Sequence, residues 1–70
     1  MNDQPQPANI EAEEAILGGI LFDPLAMTRV EADLRIEAFY LQTHQEIYRA
    51  ALTLYRQSKP TDLMAVVTYL

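Results

Sequence analysis

Residues 43–57 read THQEIYRAALTLYRQ, and the periodicity of this stretch decides the fold class. At about 100° per residue, Ala50, Leu54, Ile47, Ala51, His44, Tyr55, Tyr48 and Leu52 fall on one arc of a helix. Gln45, Arg56, Arg49, Thr53, Glu46 and Gln57 fall on the other. The apolar arc is wider than the stripe of about 100° that suffices for a surface helix, so this segment is expected to lie centrally and to pack on two sides. Thr43 followed by Glu46 has the spacing of a capping box, in which each side chain takes up a backbone N–H at the helix start.

On the C-terminal side, Ser58 and Lys59 form a turn, Pro60 prevents continuation, and Asp62 is placed to cap a last helix from Leu63. Leu63, Val66, Val67 and Leu70 repeat there at helical spacing, and the pattern runs to the last residue without a C-cap signal, as if cut off within that helix. On the N-terminal side, LRIEAFYL at 34–41 is too short and too apolar for a solvent loop and is predicted to be a single helical turn that buries Phe39. Before it, Asp23-Pro24 marks a boundary, with Asp23 as cap and Pro24 in a first turn where its missing N–H loses nothing. A short helix is expected from there to about Asp33, with Met27, Val30 and Leu34 as its core stripe.

IEAEEAILGGILF at 10–22 reads as a helix capped by Asn9, with Ile16, Leu17, Ile20 and Leu21 on one side, joined by Ile10 and Ala12. Gly18 and Gly19 cost about 1 kcal/mol each relative to alanine inside a helix. Either another helix approaches closely across that bare face, or the helix weakens there. Residues 1–8, with two prolines and little apolar content, read as a disordered arm ahead of a single domain at 9–70. The fold class is all-α: a small orthogonal helical bundle of about four helices plus a short helical turn. Its expected core is Ile16, Leu17, Ile20, Phe39, Ile47, Ala51 and Leu54.

Composition narrows the function. The net charge of −5 is uneven, because Asp3, Glu11, Glu13, Glu14 and Asp23 all precede the first basic residue, Arg29. Such a front half repels phosphate, which makes the segment a poor nucleic-acid grip by itself. The absence of cysteine rules out disulfides and thiolate metal sites. The longest apolar run, Ala15 to Phe22, is far below the ~20 residues needed to span a bilayer, and no secretory signal pattern opens the chain.

A nucleophile–base pair has almost nothing to be made from, since there is one His and one Ser. His44 is read as a packed or capping histidine, because no second metal ligand lies at a helical spacing from it. Glu11, Glu13 and Glu14 spread around their helix rather than converging, and no GxxxxGK phosphate loop is present. No enzymatic activity, metal or cofactor is therefore expected in this segment. Arg49 and Arg56, with Lys59 beyond them, form the only basic stripe, which reads as a solvated face or a contact for an acidic partner.

NIEAEEAILGGILFDP followed by AFYLQTHQEIYRAALTLYRQSKPTDL resembles the N-terminal domain of DnaB-type replicative DNA helicases. The resemblance runs from Pro7 to Leu70. Its specific parts are EAE-x-x-x-LG at Glu11 to Gly18, Asp23-Pro24, Phe39-Tyr40, His44 with Ile47-Tyr48, and Pro60 followed two residues later by Asp62. It implies an N-terminal collar domain that assembles a helicase ring and docks primase. The full-length family protein is a cytoplasmic homo-hexamer that unwinds duplex DNA at the replication fork, with ATP and magnesium and single-stranded DNA held by a C-terminal RecA-like domain outside these 70 residues. By the same resemblance, Glu11 is the position that implies primase contact. The chain departs from the family in having Ala8 where a second proline is usual and Ser58 where glycine is usual. The competing reading is a free-standing all-α adaptor for protein–protein interaction.

Overall fold

Tyr48 and Ala51 have no exposed surface, and the helix that carries them touches every other element of the molecule. The computed structural model describes residues 7–70. Four α-helices follow in order: α1 (Pro7–Phe22), α2 (Ala26–Val30), α3 (Gln42–Arg56) and α4 (Leu63–Tyr69), with a 3-10 turn at Ile36–Ala38 between α2 and α3. There is no strand among the described residues. The fold is the expected all-α bundle, with α3 as its axis.

Burial follows the wide arc of α3, since Tyr48, Ala50, Ala51, Leu52 and Leu54 join Leu17, Ile20, Met27, Phe39 and Val66 in one core. Two of the expected core residues differ. Ile47 is only partly buried, packed against the core from its edge, and Ile16 is 42% exposed. The buried stripe of α1 runs through Glu13, Leu17 and Ile20, and Ile16 lies about 100° from Leu17 around the helix. A carboxylate, Glu13, occupies the stripe in place of the apolar Ile16.

Other boundaries shift for identifiable reasons. The disordered arm expected over 1–8 falls for residues 1–6 outside the described part, whereas Pro7 and Ala8 already belong to α1. Asn9 is therefore inside the helix rather than its cap, with proline in the first turn where it is well tolerated. The glycine pair does not mark a helix crossing: among the described residues, and apart from the chain neighbours and the helix's own backbone, no heavy atom lies within 4 Å of a Cβ built on Gly18 or Gly19. α2 is only five residues, and the Asp23 carboxylate accepts from the Leu25 N–H at 3.0 Å in the turn ahead of it. Phe39 is buried as expected, just after the 3-10 turn. In α4 only Val66 among the four periodic residues faces the core, and Leu63, Val67 and Leu70 are exposed.

Candidate functional site

The start of α3 is not closed by its own side chains. Neither Leu41, at the N-cap position, nor the expected Thr43–Glu46 box supplies a capping hydrogen bond. The acceptor comes from α1: the Tyr40 N–H donates to Glu13 Oε2 at 2.6 Å, and the Leu41 N–H makes a long contact of 3.5 Å to Oε1. His44 Nδ1 lies 2.8 Å from the same Oε1. Gln45 reinforces the junction by donating from Nε2 to the Phe39 carbonyl at 2.7 Å. One buried carboxylate thus ties the first helix to the first turn of the central one.

The electrostatics agree with this geometry. Burial pushes the Glu13 carboxyl upward, but the hydrogen bonds from Tyr40, His44 and Leu41, with the charge on His44, outweigh it and hold the group below the ordinary value of 4.5. Glu13 is therefore an anion at neutral pH. Phe39 packs edge-on against the His44 ring, with centroids 6.4 Å apart, and lies 5.2 Å from the Tyr48 ring. The Tyr48 hydroxyl donates to the Leu34 carbonyl at 2.6 Å, and its acidity is suppressed by burial and by the charge of Glu31, partly offset by Arg56.

These groups are engaged with one another. Among the described residues, no buried side-chain nitrogen or oxygen lacks a partner, and no three His, Asp or Glu side chains are grouped to hold a metal. No helix is long and apolar enough to cross a membrane. Glu11 is exposed on α1, two residues before the buried Glu13, and Glu14 is exposed as well, so the three carboxylates do not converge. Of the basic stripe, Arg56 pairs with Glu31 at 3.5 Å, and Arg49 and Lys59 are exposed.

The surface is the more telling part. Phe22, Leu25, Met64, Val67, Tyr69 and Leu70 are each more than half exposed. An open groove of about 740 Å³ lies where the end of α1 meets the α3–α4 corner. Exposed apolar side chains of this size are surface that further protein can cover. The sequence reading missed Glu13 as a structural residue. The signal was present in its spacing of four and seven residues from Leu17 and Ile20, together with His44 as a second polar residue on an apolar arc.

Residues 5–70 match the family described as DnaB-like helicase N terminal domain. The chain is 61% identical over 64 residues to the replicative DNA helicase DnaB of Nostoc sp. (strain PCC 7120), covering 91% of this chain and 7% of that protein. It is 43% identical over its full 70 residues to the replicative DNA helicase DnaC of Bacillus subtilis, or 15% of that protein. To the DnaB of Geobacillus stearothermophilus it is 39% identical over 64 residues, covering 91% of this chain and 14% of that protein. The chain thus spans a small fraction of each relative's length. No solved structure matches it.

Proposed function

Because the chain belongs to the family of DnaB-like helicase N-terminal domains, we propose that it is the assembly and primase-docking domain of a replicative DNA helicase. In this reading the full-length protein is a cytoplasmic homo-hexamer that unwinds duplex DNA at the fork. ATP, magnesium and single-stranded DNA are handled by a separate C-terminal domain, and this segment catalyses nothing. The observation that carries the reading is the family match over residues 5–70, nearly the whole chain. The geometry supports it: the buried polar groups are committed to holding helices together, while large apolar side chains remain outside.

Within this reading Glu11 is the primase contact. Its neighbour Glu13 does the structural work, so the exposed Glu11 carboxylate is free to meet a basic surface. A rim charge of this kind raises association rate and salt sensitivity more than affinity. The test uses the full-length hexamer and the C-terminal domain of primase, comparing wild type with Glu11→Ala at low and high salt. The expected result is slower association for Glu11→Ala and a flatter salt dependence. Identical rates and an identical salt slope would remove Glu11 from the interface.

A further inference from the structure

Glu13 is an anion at neutral pH, and a carboxylate can only accept, so the 2.8 Å contact with its Oε1 puts a proton on His44 Nδ1. In the neutral ring the lone pair then belongs to the other nitrogen, Nε2. Nε2 has no hydrogen-bond partner among the described residues, yet no buried side-chain nitrogen or oxygen there is left without one, so Nε2 opens to solvent. The rest of the ring is held: the side chain is 11% exposed, and Phe39 packs edge-on against it. The order is carboxylate, imidazole, open nitrogen. In such an arrangement the acid fixes the tautomer and supports the ring when it becomes cationic.

We propose that His44 Nε2 is a covalent modification site, a nucleophile that takes a phosphoryl group from a small donor of the phosphoramidate class. Nε2 attacks phosphorus and the new N–P bond forms while the donor's own P–N bond breaks. The donor's amine leaves with that electron pair and takes up a proton from water. The ring becomes cationic and keeps its Nδ1 proton, which stays hydrogen-bonded to the Glu13 carboxylate, so the charge created on the ring is paired where it arises. The position favours a phosphoryl group over a neutral acyl group. His44 lies in the first turn of the 15-residue α3, which carries no acidic side chain there, and a negative group at a helix start is favoured by the helix dipole. The Glu13 charge opposes the phosphate, but the cationic ring lies between the two. The site is separate from the Glu11 contact above, and neither depends on the other.

Phosphoramidate itself is the probe, and His44 is the only histidine of the chain, so the uptake of one phosphoryl group, read by intact mass, reports on it alone. At neutral pH the folded 70-residue chain is expected to react about tenfold faster than the same chain unfolded in urea, where the ring has no carboxylate partner. Glu13→Gln should bring the rate down to that of the unfolded chain, because the cationic ring loses its counter-charge. If Glu13→Gln also loosens the fold, its rate is again that of the unfolded chain, and the comparison of folded with unfolded wild type decides. Nitrogen chemical shifts of the ring should place the proton of the neutral form on Nδ1 before reaction and the phosphorus on Nε2 after it. A folded chain that reacts no faster than the unfolded one, a Glu13→Gln chain as fast as folded wild type, a neutral ring protonated on Nε2, or a phosphoryl group on Nδ1 would each overturn the proposal.

Discussion

Ser58 has a φ of 58°, the left-handed conformation that costs a non-glycine residue about 1–2 kcal/mol. The conformation is held because it closes α3: the Lys59 N–H donates to the Leu54 carbonyl and the Ser58 N–H to the Tyr55 carbonyl, both at 2.9 Å. Ser58→Gly removes the steric strain while adding freedom to the unfolded chain. The expected net gain is about 0.5–1 kcal/mol, read as a rise of several degrees in the melting temperature. Glu13 is the other residue with a measurable signature. Its folded-state pKa lies below the ordinary value, so the unfolded chain binds more protons in acid. Its contribution is complete above about pH 4.5 and is lost as the pH falls through the lowered folded-state value. Glu13→Gln should lower the melting temperature at neutral pH and make the acid side of the stability profile shallower. An acid limb as steep as that of wild type would show that another carboxylate dominates acid unfolding.

At the scale of the element, α1 and α3 obey different rules. The amphipathy of α3 is read directly from its residues, because its buried arc is apolar apart from His44 and the hydroxyl of Tyr48. α1 has no such clean division: a carboxylate sits in its buried stripe and Ile16, Phe22 and two glycines sit outside it. With open space above both glycines, Gly18→Ala and Gly19→Ala should each stabilise the molecule by about 0.5–1 kcal/mol through helix propensity alone. Chemical denaturation of the two variants checks this, and a loss of stability in either would mean that the bare face is covered. The start of α3 follows the same logic of position over type. Thr43 and Glu46 have the right identities for a capping box, yet the acceptor that serves this end is supplied from α1.

For the whole molecule, Leu54 is a direct probe, because it is buried in α3 within a core to which all four helices contribute. Leu54→Ala should cost about 2–5 kcal/mol through the cavity it leaves. That is a large part of the 5–15 kcal/mol typical of an entire domain, so thermal melting should show a much lower or absent transition. The residues alone determined the helical class, the central place of α3, the burial of Phe39 and the family, because each follows from periodicity, from turn-forming residues or from motifs read in order. The resemblance marked Ser58 as standing where glycine is usual, and the structure decided that it takes the left-handed conformation there. Only the tertiary structure decided that Glu13 is the buried anchor of α3, that the glycines meet nothing, and that Ile16 and most of the apolar residues of α4 face outward. The physical reason is that a helical wheel reports which residues share a side, whereas burial depends on which side a neighbouring element covers. A buried carboxylate is stable only if donors from elsewhere in the chain reach it, and those donors, Tyr40, Leu41 and His44, lie about thirty residues away, where no local pattern can show them.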